Sequence, residues 1–159
     1  MRNGLLLTSH SVPLLLIRLA LGIVMFAHGA QKMLGWWGGP GFSGAMGFFE
    51  SMGIPALFAF LAIMAEFFGG LGLIAGFLGR IAAFGILVNM LVAIAMVHAP
   101  NGLFMNWSGK QGGEGFEYHL LAIAALLPIV IAGPGRFAIG RFLPLPKGAS
   151  TERPVMVLE

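Results

Sequence analysis

Cysteine is absent from this 159-residue chain, so its own side chains can form no disulfide, thiolate metal site or thiol relay. Aspartate is absent as well, and only 9% of the residues are charged, nine Lys and Arg against six Glu. Soluble domains carry about 25% charged residues. So sparse a set cannot cover a water-facing surface, which excludes an ordinary soluble globule. The formal charge of +3, on scattered residues, also lacks the dense basic face of a nucleic-acid groove, and no nucleic-acid partner is expected. What the chain has instead is apolar: 58% of it comes from the AVILMFWYC set.

A membrane crossing needs about 20 mostly apolar residues. Four stretches meet or approach that length: residues 12–34, 55–78, 81–98 and 117–131. The first carries Arg18, His28, Gln31 and Lys32, the second has Glu66 as its only charge, and the third has none. The fourth continues apolar to Gly133 before Pro134 and Gly135 stop it. The expected fold is an all-α membrane protein, an antiparallel four-transmembrane-helix bundle. Between the first two spans, Phe42, Met46, Phe49 and Met52 recur at helical spacing and predict a short interfacial helix. Gly79 and Arg80 alone separate the second span from the third and predict a tight hairpin; residues 99–116, with five glycines, read as a polar loop.

Arg2, Arg18, Arg80, Arg136, Arg141, Lys147 and Arg153 lie towards the side of the termini, and only Lys32 and Lys110 towards the other. That bias places both termini in the cytoplasm. Trp36, Trp37 and Trp107 all fall at span ends on the outward side, as expected of rings at headgroup level. The chain divides into a cytoplasmic segment 1–11, a membrane domain 12–136 and a cytoplasmic tail 137–159, disordered towards its end. Arg18 interrupts the first apolar run, so cleavage as a signal peptide is not expected. Asn106-Trp107-Ser108 matches a glycosylation triplet, a pattern that arises often by chance.

In the second span Ala62, Ala65, Gly69, Gly72, Gly76 and Gly79 make a narrow seam of small side chains, suited to close helix packing. The Gly70-x-Gly72-x-x-Ala75 run inside it has no preceding strand and is not a dinucleotide fingerprint. Glu66 falls within about 60° of Gly69 on a helical wheel and so faces the bundle interior. It sits near mid-span, where an isolated carboxylate costs at least ~2.5 kcal/mol. It must therefore be protonated, paired with a cation or lining a wet cavity. A structural ion pair is the plain alternative, a ligand or proton site the sharper one. Arg18, His28 and Lys32 share one stripe of the first span, from which Arg18 could meet Glu66 from below and His28 from above. Lys32, near the interface, is expected to snorkel to headgroups.

His28, His98 and His119 all belong to the outward half, with Glu114 and Glu117 making that mouth polar. Imidazoles so grouped could bind a metal or haem, but no HxxxH or HExxH spacing supports either, and haem is not expected.

Taken together, Arg18-Leu19, Gly22, His28-Gly29, Gln31-Lys32, Gly35, Gly53-Ile54-Pro55, Glu66, Gly69-Gly70, Gly79-Arg80, Ala82, His98, Pro100-Asn101-Gly102, Glu117-Tyr118 and Gly133-Pro134-Gly135-Arg136 resemble the DoxX family of small membrane proteins. The likeness spans residues 12–136. It implies a four-span bundle in a bacterial inner membrane and a redox-associated role beside a separate oxidoreductase partner, in assemblies that handle sulfur compounds, quinones or oxidative stress. Arg18, His28, Lys32, Glu66, His98 and Glu117 carry over as functional positions; Asn101 and His119 join them as candidates for a ligand or proton site. No cofactor is fixed by the sequence, and a quinone is the candidate. Three readings follow: a quinone-type binding subunit that is not a self-sufficient enzyme, a small proton-coupled transporter that would have to form a homo-oligomer, or a membrane scaffold for a partner enzyme.

Overall fold

The computed structural model describes residues 10–142 and is all-helical over them, with no strand. The expected disorder of the tail beyond residue 142, and the basic residues Arg2, Lys147 and Arg153, lie outside the described residues. The five α-helices are α1 (Val12–Leu34), α2 (Gly41–Ser51), α3 (Ala56–Ala75), α4 (Gly79–Ala93) and α5 (Glu117–Ala132). Among the described residues three helical stretches are long and apolar enough to cross a membrane: α1, α3, and α4 with its continuation to Asn101. The helix α5 is apolar but shorter, 16 residues with Pro128 inside it.

Local chemistry explains the boundaries. Ser11 caps α1 by accepting a hydrogen bond from the Leu14 amide at 3.3 Å, with Pro13 in the first turn. Gly35 ends α1 in the left-handed region at φ 72°. The hairpin after α3 differs from the expected one. Gly76, at φ 68°, ends α3, the turn runs to Leu78, and Gly79 and Arg80 are already helical. Gly76 has to be glycine: a Cβ there would lie 2.6 Å from Ala138 Cα, at an angle only glycine adopts cheaply.

The helices α1, α3, α4 and α5 close a ring in which α1 packs on α3, α3 on α4, α4 on α5 and α5 on α1. Antiparallel sense follows from the residue pairs: Arg18 with Leu73 and Lys32 with Glu66 for α1 and α3, Glu66 with Asn89 and Gly72 with Ala82 for α3 and α4, Arg80 with Val130 and His98 with His119 for α4 and α5. The helix α2 lies against α1 and α3. The small-residue seam serves two neighbours. Gly69 packs on Ile86 and Gly72 on Ala82 of α4, while Gly70 opposes the backbone of Phe26 in α1. The closest approach is at Gly29, where an added Cβ would lie 2.4 Å from the Phe67 backbone nitrogen. Gly29→Ala must push α1 off α3 and is expected to cost about 1–3 kcal/mol, the range for overpacking. Gly85→Ala, whose methyl would meet only the Ala65 Cβ at 3.7 Å, is expected to change little. Thermal unfolding of the two variants in detergent checks the contrast.

The interior is apolar with a few buried polar groups, but the outside is apolar as well. Arg18, Glu66 and His119 are buried, whereas Leu16, Phe58, Phe84, Leu121 and Ile131 are exposed, the last at 73%. Exposed apolar surface on this scale is a lipid-facing or partner-facing surface.

Candidate functional site

Glu66 stands on α3 between α1 and α4, ten residues after the helix begins, and its side chain is 9% exposed. Lys32 of α1 bonds one carboxylate oxygen through its ammonium, and the Asn89 amide of α4 donates to the other at 2.9 Å. Gly29, one turn before Lys32, lets α1 approach closely enough for the pair to form. The expected snorkelling of Lys32 is thereby corrected: the lysine turns inward, because the carboxylate in the middle of α3 gives its ammonium a charge-assisted hydrogen bond.

Arg18 does not meet Glu66. Its guanidinium donates to the carbonyls of Leu73 (2.6 Å), Ile74 (2.7 Å), Arg136 (3.1 Å) and Phe137 (3.2 Å), at the opposite end of the bundle. The reason is electrostatic and geometric. The last carbonyls of α3 lack the regular donors of the helix interior, Leu73 accepting from the Gly76 amide in the cap, and carry the negative end of the helix dipole; a planar guanidinium satisfies several at once. Arg18 is thus a clamp joining α1, α3 and the segment after α5.

Above Glu66, towards the ends of α1 and α4, lie the imidazoles. The rings of His98 and His119 are 4.1 Å apart between centroids and tilted by 41°. His98 Nδ1 is 2.8 Å from the Glu114 carbonyl oxygen, so that nitrogen carries the proton and donates it. His28 lies within electrostatic range of Lys32, Glu66 and His119, and Tyr118 of Glu66. His119 is only 7% exposed, and among the described residues neither its Nδ1 nor the buried Tyr118 hydroxyl has a hydrogen-bond partner. Unsatisfied polar atoms at such positions call for an explanation.

All of these groups line one cavity of about 1620 Å³. Of the candidates named from sequence, His28, Lys32, Glu66, His98 and His119 face it, and Arg18, Asn101 and Glu117 do not. Asn101 donates to the Val97 and Glu114 carbonyls at 3.3 and 3.2 Å and shapes the 99–116 loop. Glu117 accepts from the Met105 amide at 3.1 Å and the Trp107 indole at 3.3 Å, pinning the same loop. Glu117→Ala is expected to speed amide hydrogen exchange at Met105 by at least about tenfold, the loss of one hydrogen bond to a charged acceptor. The Lys32–Glu66 pair, distant from that loop, should be unaffected.

Sequence reasoning missed Asn89 and the role of Tyr118. Asn89 could have been found by the argument applied to Glu66, since it is a strongly polar residue in an otherwise apolar span. The phenol could not, because its burial depends on how α5 meets α4. Among the described residues no three His or Glu side chains lie close enough together to hold a metal ion.

Comparison with known proteins places this arrangement. The chain is 30% identical over 132 residues to the inner membrane protein YqjF of Escherichia coli, an alignment covering 83% of this chain and 92% of that one. It is 30% identical over 113 residues to a Bacillus subtilis protein named "Putative oxidoreductase CatD", covering 71% and 75% of the two chains. It is 33% identical over 134 residues to the uncharacterized membrane protein Rv3486 of Mycobacterium tuberculosis, covering 80% and 78%. No solved structure matches the chain significantly. The DoxX family model matches residues 13–99, through α1, α3 and α4 and the Lys32, Glu66 and Asn89 side chains they bring together, and the chain belongs to the DoxX family of membrane proteins.

Proposed function

We propose that this protein spans a bacterial inner membrane four times and binds a quinone-type lipophilic molecule in the cavity above Glu66, beside a separate oxidoreductase that supplies the electrons. In this reading α5 is the fourth crossing, α2 lies along the interface, and both termini face the cytoplasm. Arg18, Arg80 and Arg136 then sit at the cytoplasmic end, as the excess of basic residues on that side favours.

The observation that carries the binding reading is the combination at the head of the cavity. Lys32, Glu66 and Asn89 satisfy one another, so the cluster presents little net charge, while the Tyr118 hydroxyl and His119 Nδ1 are buried and unpartnered. A neutral ring bearing carbonyl or hydroxyl oxygens complements that set; a phosphate headgroup would bring charge without a cation to meet it. Quinone reduction takes up protons along with electrons, and Tyr118, His119 and His98 are groups able to hold or pass them. Electrons need another source, because the chain has no cysteine with which to ligate an iron–sulfur cluster. That a Bacillus subtilis relative bears the name of an oxidoreductase supports the redox setting. A pure scaffold would need the ion pair but not the unpartnered polar atoms beside it.

Mass spectrometry of lipids co-purifying with the protein in mild detergent tests the reading. Quinone enriched over the bulk membrane ratio, and enriched several-fold less with His119→Leu, is the expected result. The bulk ratio in both proteins would defeat it.

A further inference from the structure

The polar cluster occupies only part of the cavity. From Glu66 and Asn89 the same cavity continues as a groove between α3 and α4 that opens on the exposed side of the bundle. Its floor is made of half-buried small residues, Ala62 and Ala65 of α3 and Gly85 of α4, and its walls of exposed Leu61, Phe68, Phe84 and Val88. Ala65 adjoins Glu66 in sequence, and Gly85 lies one helical turn from Asn89 on the same face, so floor and polar cluster are continuous. At Gly85 nothing but the Ala65 methyl approaches within 4 Å of where a Cβ would be, so the floor is open above it.

We infer that this groove is the exit slot for a single hydrocarbon tail attached to the bound ring, and that the ligand is therefore a tailed, isoprenoid-type quinone entering sideways from the lipid. The inference rests on the binding reading above and adds the tail as its chemical class. A ring seated against Tyr118 and His119 is enclosed by α1, α4 and α5, and a tail on it must leave somewhere. The α3–α4 groove is apolar, walled by aromatic and aliphatic side chains, and continues from the cavity that the buried His119 lines to the lipid-facing surface. A second copy of the chain would cover the wall tops without reaching the buried polar atoms, whereas a tailed ring meets both.

Tail and lipid are equally apolar, so the groove adds little binding energy of its own. Its role is steric, and the test is steric too. Binding to the purified full chain in lipid nanodiscs is measured for 2,3-dimethoxy-5-methyl-1,4-benzoquinone, which has no tail, and for its 6-decyl derivative. With Gly85→Trp, which fills the slot, affinity for the decyl compound should fall at least about tenfold while the tail-free ring binds within about twofold of the original. Ala62→Trp, further along the floor, should act in the same sense and serves where Gly85→Trp fails to fold. Equal affinities for the two ligands in a folded slot variant would overturn the tail slot but leave the ring site standing. Failure of either ligand to bind saturably to the unaltered protein would overturn the ring site and the slot together.

Discussion

Lys32→Met and Glu66→Gln, each made alone, are expected to destabilise the bundle by about 3 kcal/mol, the low end for breaking a buried ion pair. The low end applies because the lysine side chain keeps 24% of its exposure. Removing the lysine leaves the carboxylate with the Asn89 amide as its remaining bonded partner near mid-span, and removing the acid leaves an ammonium turned inward with no counter-charge. The double variant Lys32→Met/Glu66→Gln has no uncompensated charge, and the glutamine can still accept from Asn89. It should therefore recover most of the loss, since a buried pair is worth far less than either half is costly alone. Unfolding in mixed micelles by denaturant titration reads all three. Losses that simply add in the double variant would mean that the two groups do not depend on each other.

Arg18→Met should have the largest effect on stability in the molecule, about 3–5 kcal/mol. The arginine is 1% exposed and gives hydrogen bonds to four carbonyls, two closing α3 and two in the segment after α5. Methionine fills similar volume but takes the guanidinium from all four carbonyls where water is scarce, leaving Leu73 with the Gly76 amide at 3.2 Å. Arg18→Lys should recover little, because an ammonium cannot reach two separate pairs of carbonyls with the span of a guanidinium. The accompanying sign is positional. Limited proteolysis should first cut the segment after α5, which the clamp and the bond from Gly140 N to Gly76 O (3.3 Å) tie to the end of α3, and the bond from Arg136 N to Ser11 O (3.1 Å) ties to the start of α1. Ligand binding near Glu66 should persist in whatever fraction folds. An Arg18→Met protein as stable as the original would show that the clamp contributes nothing.

Helix positions were legible in the sequence because apolar runs and their breakers are local properties. The first span read from Val12 to Leu34 is α1 residue for residue, with Ser11 and Gly35 as its caps. The turn after α3 was displaced by three residues, since Gly76 and Gly79 are equally good helix stops on paper. Only the contact of Gly76 with Ala138 decides between them. The interior placement of Glu66 was also legible, from its neighbourhood to the small-residue seam. Its partner was not. Arg18, His28 and Lys32 share a stripe of α1, and which of them reaches the acid depends on how far α1 slides along α3. The close approach at Gly29 sets that register and opposes Lys32 to Glu66, sending Arg18 to the far end. Asn89 and Tyr118 enter the site through the packing of α4 and α5, which no single-helix pattern reveals.

The central claim, that the buried polar groups above the Lys32–Glu66 pair form a site for a neutral ring, is tested most directly by the vibrational spectrum of the bound molecule. Infrared difference spectra of the benzoquinone on the purified protein should show its carbonyl stretch shifted to lower frequency by hydrogen bonding. Tyr118→Phe should remove part of that shift and His119→Leu the rest. A carbonyl band identical to that of the quinone dissolved in lipid, in the original protein and in both variants, would contradict the account.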